Sequence, residues 1–380
     1  VRERGVGESI ILKELEDAGQ KNVPYARVLS SMCTTPHPIA LKAHCDFLVS
    51  NLGDPKLFPG TESLERACIG MLGELLHLPS AAGYLSTGGT ESNIQALRTA
   101  RQLKKVDPGR ANIVLPESAH YSFDKAAQLL GVRLKRAPLD DDLKVNVDAM
   151  AGLIDENTIA LVAVAGTTEF GQVDPVPAIS KLAVEEDIFL HVDAAFGGFV
   201  IPFLDDPSKY MFDFELPGVM SVAIDPHKMG LSVIPSGGLL YRDERLMRSL
   251  EISAEYLTSQ VQSSLAGTRS GASAAATYAV MRHLGKEGYR LIVKKCMDNT
   301  MLLHKKMSAA GLEPVIRPVL NIATFKAPDA QTVRKRLCDM GWYVSTTSGP
   351  EALRMVVMPH VTEEVIEAYV ADLKKILDVV

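Results

Sequence analysis

From residue 81 onward, short apolar runs alternate with segments of helical spacing, and this alternation constrains the fold more than any other feature of the chain. The runs NIVLP (112–116), TIALVAVAG (158–166), IFLHVDAA (188–195) and SVAID (221–225) are rich in Val, Ile, Leu and Ala. They read as strands buried on both faces, as in a mostly parallel sheet covered by helices. NVDAMAGLID and DPVPAISKLAVEED read as intervening helices. The class is therefore α/β, and in such sheets ligands sit beyond the carboxyl ends of the strands.

The flanking regions differ. ESIILKELEDAG has apolar residues at helical spacing and ends in glycine. SMCTTPHPIA is too rich in proline for a helix interior and reads as a loop or arm. NLGDPKLFPGT reads as a second loop, followed by a helix from about Ser63 to Leu78. Near the C-terminus, a long helix around 286–311 precedes PVLNIATFKA, a helix near 329–340, WYVSTT, ALRMVVMP and a closing helix. The expected organisation is an N-terminal helix and arm (1–45), a large domain (46–285) and a smaller C-terminal α+β domain (286–380).

Composition narrows the function classes. With 47% hydrophobic and 23% charged residues in 380, a sizeable core is expected and disorder is not. The net charge of −6 and the lack of a basic stripe argue against nucleic acid as a partner. Lys294 and Lys295 read as a solvated helix face. The five cysteines (Cys33, Cys45, Cys68, Cys296, Cys338) are odd in number and form no CxxC. They point to a reducing cytoplasm, without a disulfide framework or a metal site. The start, VRERGVGESI, lacks the apolar core of a signal peptide, and no apolar run approaches the ~20 residues that span a bilayer. A membrane partner is not expected.

Four features fall at strand ends or helix starts. In STGGTESNIQALRTA (86–100), glycines precede a helical pattern. Glycine lets a backbone approach a ligand, and free N–H groups at a helix start bind anions such as phosphate. No GK[ST] follows, so this is not a Walker loop. A capped helix after a turn fits the same letters. His120 follows the end of NIVLP, where a lone histidine is also often structural. Asp193 ends an apolar run, where a carboxylate needs a cation or strong donors. Lys228, in SVAIDPHKMG, comes to the end of another apolar run. A lysine in a partly desolvated pocket has a lowered pKa and forms Schiff bases, whereas a surface lysine needs no such approach.

Taken together, a strand-end lysine, an aspartate 35 residues earlier, a phosphate-binding turn and a histidine are the parts that hold pyridoxal 5'-phosphate (PLP). The lysine bonds to the aldehyde, and the aspartate keeps the pyridine nitrogen protonated. The glycine turn holds the phosphate, and the histidine lies against the ring.

The motifs NLGDPKLFPGT, STGGTESN, AHYSF, AGTTEFG, HVDAAFGGFVIPFL, DPHKMG, GTRSG and LRMVVMPH, spread over nearly the whole chain, resemble those of the group II PLP-dependent amino-acid decarboxylases. Within that family they are most similar to the archaeal tyrosine/aspartate enzymes. The resemblance implies PLP fold type I, the aspartate-aminotransferase-like fold, and a homodimer with shared active sites. It implies decarboxylation of L-tyrosine to tyramine or of L-aspartate to β-alanine, for methanofuran or coenzyme A biosynthesis. Residue by residue, it implies Lys228 as the cofactor-bonding lysine and His227 beside the phosphate. Gly88, Gly89 and Thr90 would bind the phosphate, and His120 would stack on the ring. Asp193 would pair with the ring nitrogen, Ala195 would pack under the ring and Thr168 would approach its O3'. Thr268 or Ser270 would reach the phosphate from the neighbouring subunit. Arg354 would bind a substrate carboxylate, and Tyr256 or His120 would return a proton to Cα. His37 and Arg269 could each supply a polar contact to the substrate side chain. Read as given, the residues depart from the better-known aromatic and glutamate decarboxylases in the long N-terminal helical segment, so the subunit contacts are expected to follow that analogy less closely.

The cofactor parts alone do not choose the reaction, because an aminotransferase uses the same ones. A non-catalytic PLP-binding protein would also carry them. L-Glutamate remains a third substrate to weigh beside tyrosine and aspartate.

Overall fold

The computed structural model describes residues 3–107 and 109–378. Helix α1 (Glu8–Gly19) comes first and buries none of its residues. Helix α2 (Pro38–Asp46) begins inside the segment read as an arm. Proline is tolerated at the first helical position, where its missing N–H is not needed, and His37 caps the helix by accepting the Ile39 N–H. Helix α3 (Pro59–Leu75) starts four residues earlier than its periodicity suggests, again on a proline.

The α/β part follows in chain order: β1 (Ala82–Tyr84), α4 (Gly89–Leu103), β2 (Asn112–Pro116), α5 (Ser122–Leu130), β3 (Arg133–Ala137), α6 (Val147–Gly152), β4 (Thr158–Val164), α7 (Val176–Glu185), β5 (Phe189–Asp193), β6 (Val219–Ile224) and β7 (Gly238–Tyr241). These seven strands form one sheet in the order β1-β7-β6-β5-β4-β2-β3. Strands β3, β2, β4, β5 and β6 pair in parallel, and β7 runs antiparallel to both of its neighbours. All residues of β2 and β4 are buried, which is why they read as unbroken apolar runs.

A short helix α8 (Glu244–Arg248) and a two-stranded ribbon, β8 (Ile252–Ser253) with β9 (Val261–Gln262), lead to α9 (Gly271–Ala309). The helix expected near 286–311 is the second part of α9, which breaks at Gly285 (φ 55°, ψ −173°). The left-handed φ there suits a residue without Cβ. Then come β10 (Ile322–Phe325), α10 (Ala330–Asp339), β11 (Ser345–Thr346), β12 (Leu353–Val356) and α11 (Glu363–Leu377). The last three strands make a small antiparallel sheet in the order β10-β12-β11.

Two principal apolar cores result. One surrounds the large sheet, with Leu161, Val192, Ile224 and Met281 among its members. The other joins the small sheet to the C-terminal helices through Phe325, Leu353, Trp342 and Tyr369. Among the described residues, no helix is long and apolar enough to cross a membrane.

Candidate active site

The parallel strands β2, β4, β5 and β6 end on one side of the sheet, and the loops after them meet the start of α4. There they enclose a cavity of about 290 Å³. Its lining includes Gly88, Gly89, Thr90, His120, Thr168, Asp193, Ala195, His227 and Lys228. Segments distant in sequence are thus gathered because each follows a strand, or in the case of α4 starts a helix, at the same edge.

The amine comes from the loop between β6 and β7. Lys228 Nζ lies 3.3 Å from Asp225 Oδ2, and its side chain is largely buried. The carboxylate at the end of β5, Asp193, is held on both oxygens: Oδ2 accepts from Asn93 Nδ2 at 2.8 Å and Oδ1 from the Ala195 N–H at 3.1 Å. Behind Asn93 stands His191, fully buried, with Nε2 2.9 Å from Asn93 Oδ1 and Nδ1 2.8 Å from the Ser221 hydroxyl. Burial pushes this imidazole down to about 4, so it is neutral at ordinary pH.

His120 follows β2, and its Nδ1 accepts the Ser122 N–H at 3.2 Å. Burial lowers its pKa, and the nearby Asp193 opposes that shift. At the start of α4, Gly88 has φ 144°, and a Cβ there would come within 3.0 Å of the His227 ring. A Cβ on Gly89 would meet Ala195 Cβ at 3.0 Å and Asp225 Oδ2 at 3.2 Å. The two glycines therefore keep open a cradle lined by backbone N–H groups at the positive end of a helix.

Other expected site residues lie elsewhere in the single chain. Arg354, on β12, is buried beside the cavity wall. Its Nε donates to the Thr168 carbonyl oxygen, and its Nη1 donates to the Ser30 carbonyl and the Ser345 hydroxyl. Among the described residues it makes no ion pair, and burial lowers it to about 10. Tyr256 stands 88% exposed between β8 and β9. Ser270 caps α9 by accepting the Ser273 N–H, and neither it nor Thr268 lines the cavity. His37 is the cap of α2, with its ring 4.9 Å from that of His283, also away from the cavity. Arg269 is committed to an ion pair with Glu65 and to the carbonyls of Leu52 and Leu85, so its cation is not available to a substrate. The cluster His77, Asp213 and Glu215 has metal-ligand spacing, but none of its members borders the cavity.

Three residues of the site were not read from the sequence: Asn93, His191 and Asp225. His191 lies two residues before Asp193, on the same face of its strand, so period-two reasoning could have paired them. Asn93 falls one turn into α4, and Asp225 three residues before Lys228.

A pyridoxal-dependent decarboxylase conserved domain matches residues 44–323. The chain belongs to this family. It is 66% identical, over 99% of its own length and 100% of the relative's, to a probable L-tyrosine/L-aspartate decarboxylase of Methanocella arvoryzae. It is 50% identical to a probable L-aspartate decarboxylase of Archaeoglobus fulgidus, over 97% and 99% of the two chains. Among solved structures, the sphingosine-1-phosphate lyase of Burkholderia pseudomallei superposes with a TM-score of 0.90 at 30% identity, covering 100% of this chain and 92% of that one. The glutamate decarboxylase of Lactobacillus brevis shares the fold, with a TM-score of 0.90 at 22% identity and coverage of 99% and 93%. The fold is PLP fold type I, and the chain is a PLP-dependent amino-acid decarboxylase, a lyase.

The cavity fits that cofactor on its own chemistry. It offers one amine, a buried carboxylate already oriented, a neutral imidazole and a glycine cradle of N–H donors. It also holds a buried oxygen with no partner, Asp225 Oδ1.

Proposed function

We propose that this decarboxylase acts on L-tyrosine and L-aspartate, releasing tyramine and β-alanine, the first for methanofuran and the second for coenzyme A. The observation that carries this reading is its near-full-length likeness to a relative named for both substrates. The buried cation of Arg354, bonded to neutral acceptors and in no direct ion pair, supports an acidic substrate group beside Thr168.

When bound, PLP supplies a conjugated ring that accepts the electron pair left at Cα as carbon dioxide departs. In this reading, Lys228 would hold the cofactor through its aldehyde. Asp193, fixed by Asn93 and the Ala195 N–H, holds a proton on the ring nitrogen. His120, Ala195 and Thr168 line the cavity and would hold the ring, His120 and Ala195 by packing and Thr168 by a polar contact. Gly88, Gly89, Thr90 and His227 would hold the phosphate. Arg354 would orient the substrate through a carboxylate. Tyr256 returns the proton to Cα, with His120 as the alternative donor.

The same reading makes the protein a homodimer. Helix α1 exposes Ile10, Ile11, Leu12 and Leu15 and buries nothing, which suits a helix that packs on a second subunit. The exposed ribbon that carries Tyr256 then reaches the other subunit's cavity, as do Thr268 and Ser270. Residues 46–285 form the cofactor-holding domain and 286–380 the smaller one.

The test is to supply purified protein and PLP with L-tyrosine, L-aspartate and L-glutamate separately, and to measure carbon dioxide and amine. Tyramine and β-alanine are the expected products. Carbon dioxide from glutamate alone, or amino transfer that needs a keto acid, would sink the reading.

A further inference from the structure

Asp225 leads the DPHK segment at the end of β6, and only 1% of its side chain is exposed. Its Oδ2 accepts the Gly89 N–H at 3.0 Å and lies 3.3 Å from Lys228 Nζ and 3.8 Å from His227 Nε2. Its Oδ1 is buried with no hydrogen-bond partner. Both strong partners of this carboxylate are groups that the cofactor reading assigns elsewhere, the Gly89 amide to the phosphate and the Lys228 amine to the aldehyde.

We propose that Asp225 is a resident anion in the phosphate cradle and that it takes up one proton from solvent when PLP enters. The inference rests on the cofactor reading of the same cavity. Burying a carboxylate is costly unless it is paired and hydrogen-bonded. Without cofactor, Lys228 and the helix-end amide of Gly89 meet that cost. With cofactor, both are withdrawn and a dianionic phosphate arrives beside the same oxygens. Loss of partners and approach of like charge both favour the neutral acid. The proton leaves water, bonds to an Asp225 oxygen, and turns a repulsion into an O–H donated to phosphate.

Other charged or titratable groups face this one from every side. They are Cys33 from the N-terminal segment, Glu91 of α4, His120 after β2, Asp193 at the end of β5, and His227 and Lys228 on its own loop. His227 is the imidazole that faces Asp225 most directly, with its Nδ1 held 2.6 Å from the Ser236 carbonyl and its Nε2 3.8 Å from Asp225 Oδ2.

Calorimetry of PLP binding to the cofactor-free full chain, in buffers of different ionisation heat, counts the protons taken up. The measurement belongs near roughly pH 8, where a phosphate monoester is already dianionic. Wild type is expected to take up about one proton more per site than Asp225→Asn. Between roughly pH 7 and 9, its affinity should fall by about tenfold per pH unit relative to the variant. Because Lys228 loses a neighbouring carboxylate in the variant, the same pair is also compared in a Lys228→Ala background, where the amine moves no proton, and melting curves without ligand show that each variant is folded. Equal counts in the two proteins overturn the proposal. So does a count that disappears in His227→Gln while persisting in Asp225→Asn. A wild type that neither binds PLP nor develops the colour of a lysine-bound cofactor defeats the cofactor reading itself, and this inference with it.

Discussion

Arg354 donates from Nε to the carbonyl oxygen of Thr168 at 2.6 Å, so the small sheet touches the cavity wall through a buried cation. That contact joins β12 to the loop after β4, across 186 positions of sequence. The guanidinium has neutral acceptors on this side and makes no ion pair among the described residues, and Glu169 is the carboxylate whose charge reaches it.

Replacing Arg354 with Gln therefore removes a charged donor from the proposed substrate carboxylate. Charged hydrogen bonds contribute about 1.5–3 kcal/mol, so KM should rise by roughly tenfold to a hundredfold. Cofactor affinity should hardly change. Steady-state kinetics beside a PLP titration checks this, and an unchanged KM would remove Arg354 from the substrate site.

Tyr256→Phe deletes only a hydroxyl from a side chain that is 88% exposed in the single chain. Its melting temperature should match wild type. If the hydroxyl returns the proton to Cα, amine formation slows by roughly 10²–10⁴-fold with bound cofactor retained. Wild-type turnover in this variant would pass the role to His120.

Asn93 is bonded to Asp193, Ser122 and His191 at once. Asn93→Leu leaves those buried groups short of partners, which costs about 1–3 kcal/mol for each one unsatisfied. Melting should fall by several degrees, and an unaltered melting temperature would show the network to be slack.

Acid stability depends on two buried groups of opposite sign. Burial lowers His191 to about 4, while in the unfolded chain it binds its proton near the ordinary 6.5. Its contribution is present above pH ~6.5 and is lost as pH falls toward the folded value. Burial raises Asp174 to about 6, although the Val145 and Val164 N–H groups oppose the shift. Its contribution is present at low pH and is lost as pH rises through that value. The two nearly offset each other between them. Asp174→Asn removes the second, so the variant's unfolding free energy, measured by urea titration, should fall more steeply on acidification, by up to ~1.4 kcal/mol per pH unit. Parallel slopes for variant and wild type would contradict this assignment.

The central strands were legible because burial on both faces leaves mostly apolar residues. Strand β3 was not, since it is an edge and carries Arg133, Lys135 and Arg136. β1 and β7 are too short, at three and four residues, to show a pattern. In the site, Lys228, Asp193, His120 and the glycine turn were legible because each punctuates the end of a run or the start of a helix. Asn93, His191 and Asp225 matter through what they touch, and a contact between residues 93 and 191 leaves no local mark on the chain.

The loop that carries Lys228 is fastened at both ends. β6 and β7 pair directly, Ser86 and Gly237 exchange both of their backbone hydrogen bonds, and the His227 N–H is tied to the Ser236 carbonyl. The backbone under the amine is a fixed post. All travel of the nitrogen between its neighbours must then come from rotation about the bonds of its own side chain. The reach of the reaction is set by the length of a four-carbon arm, and a shorter arm on the same post could not be rescued by the loop leaning in.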